Sequence, residues 1–202
     1  MVRKPDPQKR ELFLSAALRL FVANGVQKTS TAEIAKAAGT AAGTLFLYFP
    51  TKQDLLDALA LKIGKQQSER INSLLQPSLS AHETFLAIWD GSVGWFMDNM
   101  EAFLYVQQVR DTGLISAAAV QESNEFFAYY YEAIRKGLAE GSIKPYAPEL
   151  IGGILYQQIV AAMNLIRMQP NPAKQKEIIR QGFEIFWDGI KSKTKDLRGR
   201  KS

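Results

Sequence analysis

Apolar side chains recur at helical spacing along nearly the whole chain, and this pattern most strongly limits the folds open to it. The sequence lacks the sustained period-two alternation of half-buried strands, and no Asn-Gly or Asp-Gly pair marks a hairpin. It also lacks internal repeats of solenoid length. The sequence therefore predicts an all-α protein.

Local start and stop signals divide this pattern into helices. Asp6 and Pro7 begin the first helix, which Gly25 ends. Ser30 and Glu33 have the spacing of a capping box, which predicts a short helix from there to Ala38. Thr40 is expected to cap the next helix. The later predicted helices cover about 41–48, 81–98, 101–111, 117–140 and 173–192. Two more are predicted by their start signals: one begins after Thr51 and has apolar positions up to Leu75, and one begins at Pro148 and ends before Pro170.

Two short helices flank a tight turn at Gly39 and follow a longer first helix, which is the form of a helix-turn-helix. In that motif the second helix enters the DNA major groove. A small apolar core should hold the two short helices together. We expect it to consist of Ile34, Ala38, Leu45 and Phe49.

Charge is distributed unevenly in a way that suits one phosphate-binding end. Residues 1–52 carry a net charge of +5, residues 53–190 carry −5, and residues 191–202 carry +5. A basic first quarter beside an acidic remainder would direct one end of the protein toward nucleic acid. A solvated basic surface is the alternative interpretation of any single cluster.

Composition excludes several kinds of site. The chain has no cysteine and a single histidine, His82, which excludes disulfides, thiolate metal sites and histidine-rich metal centres. We find no phosphate-binding loop, dinucleotide fingerprint or nucleophile elbow, so we expect no enzyme, cofactor or metal. No apolar run approaches the roughly 20 residues of a membrane span, and the start is basic and polar. We therefore expect a cytoplasmic protein without a membrane partner.

The segment TSTAEIAKAAGTAAGTLFLYFPTKQDLL, residues 29–56, closely resembles the signature of the TetR/AcrR family of transcriptional regulators. With the first helix included, the resemblance covers about a quarter of the chain. The matching positions are Ile34, Ala35, Ala38, Gly39, Gly43, Thr44, Leu45, Tyr48, Phe49, Lys52 and the leucines that follow Lys52.

The resemblance implies an all-α homodimer with two domains. Residues 1–52 would form a three-helix DNA-binding domain, and residues 53–192 would bind a small effector and dimerise. A basic tail, 193–202, is expected to be disordered and solubilising rather than a second nucleic-acid contact. The usual mode of the family is repression that a ligand relieves. The resemblance therefore implies a repressor that its effector releases from a palindromic double-stranded operator.

The resemblance also implies operator contacts, because residues of this chain match the positions where the family contacts DNA. Thr44 and Tyr48 would contact the operator, and Lys52 would bind phosphate. The full predicted DNA-binding set is Thr31, Thr40, Ala41, Ala42, Gly43, Thr44, Phe46, Leu47, Tyr48 and Lys52. Ala42, Phe46 and Leu47 replace residues that are often polar in the family. Sequence readout should therefore depend on thymine methyls, Thr44, Tyr48 and DNA shape. Arg3, Lys4, Lys9 and Arg10 could add phosphate or minor-groove contacts, or could simply be solvated.

An aromatic-rich stretch in the second domain predicts either packed core or an apolar effector cavity with a few polar groups. The predicted effector residues are Trp89, Phe96, Tyr105, Gln108, Arg110, Phe127, Tyr130, Gln158 and Asn164. The alternative is a domain used mainly as a docking platform, and a solid core would favour it.

The last helix is apolar over a wide arc, which suggests a helical partner from a second subunit. The predicted dimer-interface residues lie on the last two helices. They are Ile151, Leu155, Ile159, Ile178, Gly182, Phe183, Ile185 and Phe186.

Overall fold

The computed structural model describes residues 6–110 and 112–192. These residues form α-helices joined by turns, without a strand, as the periodicity predicts. In chain order the helices are α1 (Pro7–Asn24), α2 (Thr31–Ala37), α3 (Ala42–Phe46), α4 (Lys52–Asn72), α5 (Ala81–Asp98), α6 (Met100–Val109), α7 (Ala117–Phe126), α8 (Ala128–Ala139), α9 (Pro148–Met168) and α10 (Pro172–Ile190). The predicted basic tail lies outside the described residues, as do Arg3 and Lys4.

Side-chain caps define several of the predicted helix starts. The Asp6 carboxylate accepts a hydrogen bond from the Gln8 backbone N–H at 2.9 Å, at the start of α1. The Ser80 backbone N–H donates to the Glu83 carboxylate at 2.8 Å, at the start of α5. The Asn171 side chain caps α10 in the same way. Such bonds satisfy amides that have no partner within the helix.

The predicted single helix over 117–140 is wrong, because the chain breaks at Phe127 into α7 and α8. The Phe126 carbonyl accepts a hydrogen bond from the Ser68 hydroxyl of α4. The Tyr130 N–H instead donates to the Phe127 carbonyl at 3.0 Å, three residues back. The helical ladder is therefore interrupted by a residue distant in sequence.

The described chain forms two compact units, and the first contains the helix-turn-helix. It covers 6–68, 98–110 and 112–126, so α6 and α7 belong to it together with α1 to α3. Its centre is a cluster of fully buried side chains. They include Phe13, Phe21, Leu45, Leu55, Phe103 and Tyr105. The predicted domain boundary between residues 52 and 53 stays a prediction.

The second unit, 69–97 and 127–192, is organised around α5, α9 and α10. The indole of Trp89 is fully buried and occupies the space beside Gly182, where a Cβ atom would lie 2.7 Å from Cζ2 of the indole. The Trp89 indole N–H donates to the Ile179 carbonyl at 3.0 Å. Glycine at position 182 is therefore what allows α5 and α10 to approach closely.

Candidate nucleic-acid interface

Helix α2 is bounded by two local motifs. The Ser30 hydroxyl accepts from the Glu33 N–H at 3.2 Å, and the Glu33 carboxylate accepts from the Ser30 N–H at 2.8 Å. The Ser30 N–H and the Ser30 hydroxyl both donate to the Glu33 carboxylate, and these two bonds lower the pKa of that carboxyl. After the helix, Gly39 adopts a φ of 71°, and the Thr40 N–H returns to the Ala35 carbonyl at 2.9 Å. This arrangement is a Schellman turn, which requires glycine at that point.

The predicted N-cap role of Thr40 is wrong. Helix α3 begins at Ala42, its N-cap is Ala41, and no side chain caps it. The Thr40 hydroxyl donates backwards to the Ala35 carbonyl at 3.3 Å, so it stabilises the turn rather than the next helix.

One side of α3 packs into the unit and the other faces solvent. Leu45 is fully buried and Phe49 is 2% exposed, and the Phe49 ring meets Phe13 edge-on at 6.4 Å. Of the remaining predicted core residues, Ile34 is buried and Ala38 is half-buried. The small core therefore holds α3 by its inner face.

Helix α3 and the residues directly beside it, 40–48, carry eight of the ten predicted DNA-binding residues. Leu47 is 76% exposed and Phe46 is 45% exposed. Thr31, Thr40, Thr44 and Tyr48 are half-buried, and Ala41, Ala42 and Gly43 are exposed. The exposed side of α3 and of the residues beside it therefore presents apolar atoms with few hydrogen-bonding groups.

Tyr48 is hydrogen-bonded to the residue that caps the start of α1. Its hydroxyl oxygen accepts a hydrogen bond from the Asp6 backbone N–H at 3.0 Å, and its ring lies 5.5 Å from that of Phe13. Because the hydroxyl is the acceptor in this bond, its own O–H is still able to donate to another group.

Lys52 is the first residue of α4 and is half-buried. The Lys52 Nζ donates to the Val26 carbonyl at 2.7 Å and lies 6.0 Å above the Phe21 ring. The predicted phosphate contact thus has a defined position before any DNA is bound.

The predicted effector residues divide between the two units. Tyr105, Gln108 and Arg110 belong to the first, and the other six belong to the second. Arg110 is exposed, whereas Phe96 is buried, and Phe127, Gln158 and Asn164 are half-buried. Gln158 lines an open depression on the surface of α9, together with Glu149, Leu150, Gly153, Ile154 and Gln157. An effector site built from these residues stays a prediction.

Three of these aromatic residues differ in whether the polar atom of the side chain has a hydrogen-bond partner among the described residues. The Tyr105 hydroxyl donates to the Leu56 carbonyl at 3.0 Å, and the Trp89 indole bonds Ile179, so both act in packing. The Tyr130 hydroxyl is buried without a hydrogen-bond partner among the described residues. Burial raises the pKa of both tyrosine hydroxyls, so both are neutral donors near pH 7.

Six of the eight predicted dimer-interface residues are buried within the single chain, and a dimer interface that includes them stays a prediction. They are Ile151, Leu155, Ile159, Gly182, Phe183 and Phe186. Ile178 is half-buried, whereas Ile185 is 64% exposed. The sequence shows that α9 and α10 are apolar on more than one face, but not which face the chain covers itself.

The exposed face of α9 carries the apolar residues that the sequence analysis missed. Leu150, Ile154, Leu165 and Met168 are between 43% and 79% exposed. Helix α9 is long and apolar enough to cross a membrane by length and composition alone, a test that core helices also pass. Only 33% of its most apolar stretch is buried in the chain. We call Leu150, Ile154, Leu165, Met168 and Ile185 the exposed apolar stripe.

Among the described residues, no group of three or more histidine, aspartate or glutamate side chains is arranged to hold a metal ion.

Comparison with known proteins gives two family matches that together cover most of the chain. Residues 13–59 match the bacterial regulatory proteins of the tetR family, and residues 61–192 match the tetracyclin repressor-like C-terminal domain. The HTH-type transcriptional regulator YhgD of Bacillus subtilis is 24% identical, over 88% of this chain and 94% of its own length. SrpR of Pseudomonas putida is also 24% identical, over 89% and 84%.

Solved structures show the same fold. A tetR family transcription regulator from Shewanella sp. PV-4 has 27% identity and a TM-score of 0.85, covering 92% of this chain and 99% of that one. FadR of Bacillus subtilis, solved in complex with stearoyl-CoA, has 22% identity and a TM-score of 0.72, covering 89% and 98%.

Proposed function

The chain belongs to the TetR family of DNA-binding transcription regulators, a non-enzymatic class, and we propose that it is a cytoplasmic repressor released from its operator by a small hydrophobic effector. The observation that carries the DNA-binding part is the arrangement of α3. Its inner face is held by Leu45 and Phe49, while Leu47 and Phe46 point outward on the side that would enter the major groove.

Within this proposal, the DNA-binding residues divide into two kinds. Lys52 and the N-terminal ends of α2 and α3 bind backbone phosphates, and Thr44, Phe46, Leu47 and Tyr48 contact base edges. Residues 1–52 form the DNA-binding domain, and residues 53–192 bind the effector and dimerise. A phosphate contact sets affinity for all sequences, whereas a base contact selects among them.

The exposed apolar stripe supports a homodimer. Large exposed apolar patches on soluble proteins mark protein–protein interaction sites. A second copy of α9 and α10 would bury it in an isologous helical interface. Two-fold symmetry then predicts a near-palindromic operator whose half-sites lie about one helical turn or more apart.

A hydrophobic effector is supported by the aromatic side chains of the second unit and by the fold shared with FadR of Bacillus subtilis, whose structure contains stearoyl-CoA. The buried Tyr130 hydroxyl would be a hydrogen-bond donor to such a ligand.

Selection of bound duplexes from random DNA, at stated salt and with and without fatty acyl compounds, tests the proposal. We expect an enriched near-palindrome whose binding weakens when the effector is present. Lys52→Ala should weaken binding to every duplex and lower the salt slope by about one phosphate contact. Thr44→Ala should instead change the preference at particular base pairs. Selection that enriches no sequence would contradict the proposal.

A further inference from the structure

The Lys52 ammonium group is held by two contacts, and each continues to α6. The first runs through Val26, in the turn between α1 and α2. Its carbonyl accepts from Lys52 Nζ at 2.7 Å, and its N–H donates to Oε1 of Gln108 at 3.3 Å. Gln108 therefore fixes the main-chain position of the residue that holds the lysine.

The second contact runs through Phe21. Its ring lies under Lys52 Nζ at 6.0 Å and stacks on Tyr105 of α6, with ring centroids 6.0 Å apart and planes 20° apart. Tyr105 is fully buried and is fixed in turn by its hydrogen bond to the Leu56 carbonyl. The stacked rings keep Phe21 in place, and the Gln108 amide keeps Val26 in place.

Such a support matters for a lysine that binds phosphate. An ammonium group has three N–H donors, so one bond to Val26 leaves two for phosphate oxygens. A free lysine side chain loses up to about 2 kcal/mol of rotamer entropy when it is immobilised. A side chain that is already held loses less on binding, which raises affinity.

We propose that Gln108 is a positioning residue for DNA binding, which holds the Lys52 ammonium at the operator phosphate through the Val26 main chain. This inference rests on the proposed DNA-binding function. It gives Gln108 a role that differs from the effector contact predicted from the sequence, because its oxygen is engaged by the α1–α2 turn.

A double-mutant cycle tests the proposal. Gln108→Leu, Lys52→Gln and the double variant are compared with the wild-type protein on a random-sequence duplex, in salt from about 50 to 200 mM. We expect Gln108→Leu to weaken binding about three- to tenfold, because it loosens the phosphate contact without removing the charge. Its salt slope should fall toward that of Lys52→Gln, and the double variant should bind no worse than Lys52→Gln alone.

Gln121→Leu provides the matched control, since Gln121 is an exposed glutamine on α7 in the same unit. It should bind as the wild type does. Thermal unfolding of all variants shows whether the fold is retained. If Gln108→Leu lowers DNA affinity equally in the wild-type and Lys52→Gln backgrounds, the damage is general and the proposal is overturned. An unchanged DNA affinity of Gln108→Leu would also overturn it. A wild-type protein without salt-dependent binding would instead contradict the proposed function.

Discussion

The backbone N–H of Asp6 donates a hydrogen bond to the hydroxyl oxygen of Tyr48, 42 residues later, at 3.0 Å. Asp6 is also the N-cap of α1, and Tyr48 directly follows Leu47, the C-cap of α3. The bond therefore joins the start of the first helix to the end of the recognition helix.

Tyr48→Phe should remove this link with little change in packing, because the ring against Phe13 is retained. We expect a loss of about 0.5–1.5 kcal/mol in the free energy of unfolding, the net value of one hydrogen bond. DNA affinity should fall as well, since the hydroxyl proton is available to a base edge. Denaturant titration and duplex binding measure the two effects. Tyr131→Phe, at a half-exposed tyrosine of α8, should change neither.

An operator in which uracil replaces thymine tests the apolar readout. Leu47, the C-cap of α3, is 76% exposed, and the thymine C5 methyl is the apolar group that the major groove offers. Each lost methyl contact should weaken wild-type binding by about 0.8 kcal/mol, or about fourfold. Leu47→Ser should bind both duplexes nearly equally. An unchanged preference in this variant would show that Leu47 does not read the methyl group.

Gly182→Ala should destabilise the second unit. Its new Cβ would lie 2.7 Å from the Trp89 indole, which cannot move without breaking its bond to the Ile179 carbonyl. Overpacking of this kind costs about 1–3 kcal/mol, seen as a lower midpoint of unfolding. Gly189→Ala, on the same helix with no atom within 4 Å, should instead be neutral or stabilising by up to about 1 kcal/mol. Equal effects at both positions would contradict the packing argument.

Ile185→Asp should shift the protein from dimer to monomer. The side chain is 64% exposed and belongs to the exposed apolar stripe, where a buried carboxylate would have no partner. Sedimentation velocity at one protein concentration measures the change. Val120→Asp alters an apolar residue of α7 that is 47% exposed and should leave the association state unaltered. If Ile185→Asp stays a dimer, the interface lies elsewhere.

Acid should weaken the start of α2. Hydrogen bonds from Ser30 hold the folded-state pKa of Glu33 below its ordinary value of 4.5. The carboxylate therefore contributes stability above that value, and the contribution disappears as pH falls through the lower, folded-state pKa. Glu33→Gln keeps the geometry of the capping box without the titration. Its unfolding midpoint should fall less than that of the wild type between pH 7 and about pH 3. Glu122→Gln, an exposed site on α7, should follow the wild-type profile.

Helix boundaries could be predicted where the signal is local. Asp6, Ser30, Ser80 and Gly39 act through bonds to residues within a few positions, so their sequence context suffices. The break at Phe127 could not be predicted, because it depends on a hydroxyl in α4, 58 residues away.

The sites show the same division. The buried and exposed sides of α3 follow from the spacing of Leu45 and Phe49. On α9, both Leu155 and Ile154 are apolar, and only the packed chain shows that the first is inside and the second outside. The contact from Gln108 to Val26 joins positions 82 residues apart, so no local sequence pattern predicts it.

The exposed apolar stripe also affects how the protein must be made. A newly synthesised chain without a partner exposes Leu150, Leu165 and Met168 to water. Such a chain can pair with another copy, bind a chaperone or aggregate. Pairing is second order in protein concentration, whereas chaperone capture is first order in it. Slow synthesis therefore prolongs the solitary state, and soluble yield should improve when two coding copies are translated close together.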